Sequence, residues 1–211
     1  MKTDDLIRLM AEDAPVRFPL GRRVGLALGI GTVVAAVLLL ATVGLRPNIA
    51  AALETLRVAF KVTLTLLLAV TAICLVLRVG RPDASLKPIG LCLLIPLALL
   101  ILAMGLELTA VPSAEWSSRL VGVHAAFCVF CIPVLSLAPL FGLLAALKHG
   151  APSNPGLAGA SAGLAASAIA AAIYAWHCPD DSPLFVATWY GLAVCLVTAT
   201  GYGVGRRMLR W

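Results

Sequence analysis

Six apolar stretches govern what this chain can become. They fall near residues 24–44, 58–77, 89–107, 121–146, 157–176 and 185–205. Each is close to the roughly 20 residues that a helix needs to cross the hydrocarbon core of a bilayer. Between them lie breakers: Arg46-Pro47-Asn48, Arg78 through Pro88, Thr109 through Ser118, Lys148 through Pro155 and Cys178 through Pro183. The expected fold is therefore all-α, a polytopic membrane bundle of about six transmembrane helices with short connections.

Composition closes off the soluble alternative. Hydrophobic residues make up 61% of the 211, and charged residues 12%, against roughly 45–50% and about 25% in soluble domains. No polar segment is long enough for a separate domain. The expected organisation is a tail at residues 1–23, a membrane domain at 24–205 and a basic end at 206–211. Asp4, Asp5, Glu12 and Asp13 precede a first apolar run long enough to span, so a cleaved signal peptide is not expected.

The formal net charge of +6 reads as a topology signal. With the N-terminus inside, twelve basic residues face the cytoplasm: Lys2, Arg8, Arg17, Arg22, Arg23, Arg78, Arg81, Lys87, Lys148, Arg206, Arg207 and Arg210. Arg46, Arg57, Lys61 and Arg119, four in all, face the other side. That asymmetry predicts both termini in the cytoplasm. The interleaved basic and aromatic stripe of a nucleic-acid binder is missing, so membrane lipid is an expected partner and direct nucleic-acid contact is not.

The fifth stretch is built almost wholly of Ala, Gly and Ser, which lets helix backbones approach closely. It is expected to be the most enclosed span. Gly25, Gly29 and Gly31 in the first stretch read as helix packing in the same way. Residues 3–13 read as a short helix capped by Thr3, with Asp4 and Asp5 in its first turn and an apolar stripe of Leu6, Ile7, Leu9 and Met10. A helix this short is marginal alone; its stripe calls for a partner or a membrane surface.

Chemistry has few places to sit. The chain has no phosphate-binding loop, nucleophile elbow or His-Glu-x-x-His motif, and no repeated buried carboxylates of an ion relay. Lys61 and Glu107, near span ends, are expected to snorkel to the headgroups. Cys74, Cys92 and Cys195 are expected to pack inertly inside spans. Cys128, Cys131 and Cys178 instead fall toward one membrane face, together with His124, His177, Asp180 and Asp181. Soft sulfur and imidazole donors in one place suit packing, a redox pair or a soft metal ion acting as a signal. No resident cofactor is expected.

Three segments carry a resemblance to a known family: Lys2-Thr3-Asp4-Asp5-Leu6-Ile7, Cys131-Ile132-Pro133-Val134-Leu135-Ser136, and His177-Cys178-Pro179-Asp180-Asp181-Ser182-Pro183-Leu184-Phe185 through Trp189-Tyr190-Gly191. In these the chain resembles the negative regulators of sigma F, the NrsF-type anti-sigma factors. The resemblance implies a regulator without catalytic activity, held in the bacterial inner membrane. It would sequester an extracytoplasmic-function sigma factor and release it under stress, heavy metal included. It also implies a signal-sensing pair at Cys131 and Cys178, with Cys128 outside the pattern, and a sigma-binding tail through Asp4, Asp5, Leu6, Ile7, Leu9 and Met10. The competing readings are a membrane thiol-disulfide oxidoreductase using Cys128-x-x-Cys131 and Cys178, and a small transporter.

Overall fold

The computed structural model describes residues 3–12, 19–81 and 87–210, with the side chains of residues 8–12 left aside. Eleven α-helices follow one another among the described residues: α1 (Thr3–Glu12), α2 (Leu20–Thr42), α3 (Ile49–Leu53), α4 (Leu56–Val79), α5 (Lys87–Cys92), α6 (Leu94–Ala110), α7 (Trp116–Val121), α8 (Ala125–Leu147), α9 (Pro155–Tyr174), α10 (Pro183–Phe185) and α11 (Gly191–Met208). A single π-helical segment, Val186–Tyr190, joins α10 to α11. Six helical segments are long and apolar enough to cross a membrane. These are α2, α4, α5 with α6, the stretch ending in α8, α9, and α10 through α11.

How each span meets its surroundings follows from its apolar pattern. Along α2 only Val24, Gly31, Ala35 and Leu39 are buried, a stripe at spacings of seven and four that defines one helix face. Ile30, Val33, Val37 and Leu40 are exposed on the others. A helix apolar all round with one inward stripe is what lipid on the remaining faces requires. In α6 only Pro96 and Glu107 are buried, which puts the third span at the periphery.

The centre of the bundle is α9, where fifteen of 20 residues are buried, as its small-residue composition predicted. It packs against α11, α4 and α8, while α2 packs on α8. Lipid tails are as apolar as leucine, so nothing hydrophobic drives these helices together and close van der Waals contact must do so. Glycine provides it. A Cβ placed on Gly159 would lie 2.1 Å from the Gly201 carbonyl oxygen, and one on Gly163 would lie 2.6 Å from that of Val197. Gly159 and Gly163 on α9 thus face Gly201 and Gly205 on α11, two Gly-x-x-x-Gly steps zipped backbone to backbone.

The same measure corrects the reading of the first-span glycines. Only Gly31 makes a close approach, 2.5 Å from a built Cβ to the Pro139 Cα, whereas Gly25 and Gly29 have nothing within 4 Å. Cys74 and Cys195 are corrected likewise: both are exposed on the outer helix faces instead of packing inside.

Candidate functional site

The loop joining α9 to α10, residues 175–182, closes one end of the bundle and carries Cys178, Asp180 and Asp181. Three neighbouring elements hold it. From α4, Lys61 donates to the carbonyl oxygens of Cys178 (2.8 Å) and Asp180 (3.3 Å) and pairs with Asp181 Oδ1. From the α2–α3 connection, Arg46 Nη1 reaches Asp181 Oδ2 at 3.0 Å, while its backbone N–H donates to the Trp176 carbonyl. The start of α8 supplies the third attachment. The N–H groups of Val123 and His124 donate to the Asp180 carboxylate, the latter at 2.9 Å.

That last contact is a helix cap made from a distance. His124 occupies the N-cap position of α8 and offers no side-chain cap. The first amides of a helix are left without acceptors and carry partial positive charge; the Asp180 carboxylate satisfies two of the N–H groups here. Gly122, at φ +58°, makes the approach feasible, since a Cβ there would sit 2.9 Å from Asp180 Cγ and closer still to the Phe185 ring. His124 Nδ1 also lies 3.3 Å from Asp180.

Lys61 and Glu107 do not snorkel. Lys61 is 0% exposed, because the loop folds over it and offers three oxygens. Glu107 is buried as well and takes Arg57 (3.0 Å) and Arg119 (3.0 Å) onto its two oxygens. A buried charge is tolerable when paired and hydrogen-bonded. All four basic residues assigned to this side by the charge asymmetry, Arg46, Arg57, Lys61 and Arg119, are thus ion-paired at one end of the bundle.

Below the loop the thiols meet in a dry cluster. Cys128 and Cys131 from α8 and Cys178 from the loop join Tyr174, Phe185, Val186 and Tyr190. All six cysteines are free. Cys178 and Cys128 are fully enclosed in this one cluster. Cys131, one turn further along α8, borders a lateral groove with Leu38, Thr42 and Phe130. The hydroxyls of Tyr174 and Tyr190 are buried without an oxygen or nitrogen partner, beside the Cys178 thiol. Burial pushes the Cys178 pKa up, against the pull of the Lys61 charge. The loop therefore keeps Cys178 as a thiol and out of reach of solvent reagents.

The comparisons with known proteins bear on the whole chain. The family model for NrsF, negative regulator of sigma F, matches residues 9–211. The chain belongs to the NrsF family. It is 34% identical to the "Probable anti-sigma-F factor NrsF" of Azospira oryzae over 213 residues and 32% identical to the "Anti-sigma-F factor NrsF" of Caulobacter vibrioides over 224, with all of each chain covered. No solved structure matches it.

Within this NrsF-family chain, the sequence-derived site residues separate into groups. Cys128, Cys131 and Cys178 come together, but Asp181 is turned to Lys61 and Arg46, and Asp180 to α8. His177 Nδ1 is 3.0 Å from the Gly44 carbonyl, with its ring against Phe127 and Tyr174. Among the described residues no three His, Cys, Asp or Glu side chains are arranged to hold one metal ion. In the tail, Asp4, Asp5, Leu6 and Ile7 are exposed on α1. The side chains of Leu9 and Met10 lie outside the described residues, as do loop residues 82–86.

Sequence reasoning missed Arg46, Arg57 and Arg119 as members of the site, and Tyr174 and Tyr190 as neighbours of the thiols. A signal was available for the first three: each is a charge at the end of a span on the side where only four fall. For the tyrosines there was none, because a buried aromatic in an apolar span reads as packing.

Proposed function

We propose that this chain is a membrane-embedded anti-sigma factor that binds an extracytoplasmic-function sigma factor through its cytoplasmic tail and releases it when Cys131 and Cys178 respond to a soft metal ion or an oxidant. The observation that carries the reading is the family match along the whole chain, with relatives named as anti-sigma-F factors. The geometry supports it in two ways: an exposed apolar pair, Leu6 and Ile7, on an amphipathic helix, and thiols sealed beneath a loop held by reversible contacts.

On this reading the resting state is the repressing one, with reduced thiols enclosed. A soft ion bound by two thiolates releases two protons, and thiolates are disfavoured in the dry cluster that burial creates. Signal binding therefore favours a form with the loop lifted, and a ligand moves an equilibrium only by its difference in affinity for the two forms. The twelve-to-four charge split supports cytoplasmic termini on this reading, and the family supports placement in the inner membrane. Enclosure of Cys128 and Cys178 argues against the oxidoreductase reading, since a reactive exchange thiol is accessible and acidified.

The test uses the intact chain with all native cysteines. Co-purification from detergent-solubilised membranes should bring down one sigma factor of the host. Cadmium should reduce its yield in the wild type and leave it unchanged in the double substitution Cys131→Ser with Cys178→Ser. A full cadmium response in that double variant removes the two cysteines from the mechanism; a chain that captures no sigma factor removes the function.

A further inference from the structure

A lysine inside an apolar span is costly unless its charge is paired and its donors are used. Lys61 lies in the second turn of α4 and is completely enclosed. Its ammonium has three N–H donors, and it meets three acceptors: the Cys178 carbonyl at 2.8 Å, the Asp180 carbonyl at 3.3 Å and Asp181 Oδ1. Two of these are main-chain oxygens, those of Cys178 itself and of Asp180, on either side of Pro179. Lys61 thus grips the backbone at the cysteine and just after it, whereas Arg46 reaches the side chain of Asp181 and the loop only at Trp176.

The other attachments of the loop do not replace this grip. Asp180 caps α8 through its carboxylate, and that contact leaves the carbonyls at 178 and 180 free for Lys61. Without the ammonium, the Cys178 oxygen would be buried with no donor and the Asp180 oxygen would keep only the Cys178 thiol, 3.9 Å away, so the loop would lift to hydrate them. Lifting uncovers the thiol, because Lys61 holds the carbonyl of Cys178 itself and releasing it draws Cys178 out of the cluster with Cys128, Tyr174 and Tyr190.

From this geometry we infer that Lys61 is a tethered cation that latches the Cys178 loop shut, a positioning residue for the sensing cysteine. The inference rests on the reading that Cys178 senses the signal. It adds that α4 is the element to which the state of the loop is passed, since opening frees the Lys61 side chain and requires α4 to rehydrate or re-pair it. α4 ends at Val79 beside Gly80 and Arg81 at the basic end, so it links the loop directly to the opposite face.

The experiment measures Cys178 access and repression separately. In native membranes, a full-length chain with Cys178 as its single cysteine is mass-tagged with maleimide-polyethylene glycol, and the rate is followed. In parallel, the chain with native cysteines is scored by a sigma-dependent reporter without stress. Lys61→Met should raise the tagging rate tenfold or more, Lys61→Arg should restore most of the protection, and the reporter should rise with Lys61→Met. Gly159→Ala, which strains the bundle elsewhere, should leave tagging slow below its melting temperature.

Tagging at the wild-type rate in Lys61→Met overturns the latch. Fast tagging with full repression keeps the latch and overturns the sensing role of Cys178. Should Lys61→Met fail to accumulate in the membrane, Asp181→Asn carries the test, because it removes the carboxylate and leaves both carbonyls in place. It should raise tagging about threefold, and an unchanged rate overturns the latch equally.

Discussion

The α9–α11 contact and the Cys178 loop solve opposite problems within one small bundle. Between α9 and α11 there is no room for a side chain: Gly159, Gly163, Gly201 and Gly205 bring main chain against main chain, and built Cβ atoms fall 2.1–2.6 Å from backbone atoms. At the loop, contact is made almost entirely by charges, with Lys61, Arg46 and the α8 amides grasping Asp180, Asp181 and two carbonyls. Shape complementarity between backbones has one good arrangement. Ion pairs and capping bonds can be exchanged for water or another ion at modest net cost. The first region is suited to staying fixed, and the second to having two states.

The largest expected effect comes from breaking the fixed region. Gly159→Ile or Gly201→Ile places a branched side chain against a carbonyl oxygen and must separate the helices. The expected loss is at least about 3 kcal/mol, the upper end for overpacked cores. Equilibrium unfolding in mixed micelles, followed by tryptophan fluorescence, measures it. Gly29→Ala is the matched control, because its Cβ meets nothing within 4 Å; it should leave stability unchanged or raise it by up to about 1 kcal/mol from helix propensity. Equal losses at both positions would mean that the zipper is not where the bundle is held.

Breaking the switchable region should cost less and stay local. Asp180→Ala strips the acceptor from the Val123 and His124 amides and should cost about 1 kcal/mol, as loss of a helix cap does. That corresponds to about a fivefold increase in hydrogen exchange for the amides that open α8, with little change in α9 and α11. An increase spread evenly over the bundle would show that the loop and the zipper unfold together, and the contrast drawn above would fail.

The same contrast explains what was readable in the sequence. Five of the six spans were found within about four residues of both ends, because a run of some twenty apolar residues leaves a helix few alternatives; the fourth, expected from 121, begins at Ser113. The enclosure of α9 was readable too, since a stretch of Ala, Gly and Ser has little else to do in lipid. Its partner was not: Gly201 and Gly205 sit in a span that also carries Tyr202, Arg206 and Arg207, and nothing local says which face meets α9. Lys61 and Glu107 were misplaced for a related reason. Whether a charge near a span end turns to the headgroups or inward depends on what folds over it, and here residues 117 to 120 positions away supply the lid for Lys61 and, for Glu107, Arg57 50 positions before it. The three thiols do come together in one cluster, but Asp180 and Asp181 have structural partners that spacing alone does not disclose.

The smallest expected effect on the bundle falls in α1, which belongs to neither region. Leu6 and Ile7 are 44% and 59% exposed, so they contribute little to the folded core, and exposed substitutions are usually within about 0.5 kcal/mol of neutral. The double substitution Leu6→Asp with Ile7→Asp should accordingly leave the unfolding curve and the membrane level of the chain unchanged. An amphipathic helix that docks in a groove of its partner does so through its apolar side chains, and placing two carboxylates there would require burying unpaired charge in the interface. Sigma-dependent transcription should therefore rise without stress by tenfold or more. Cys178 tagging should stay slow if, as proposed, α1 acts downstream of the loop. That combination, an open regulon with a closed loop and an intact zipper, is what separates partner binding from sensing and from folding. Full repression by the double variant would move the sigma-factor contact off α1 and onto the loops of the basic end.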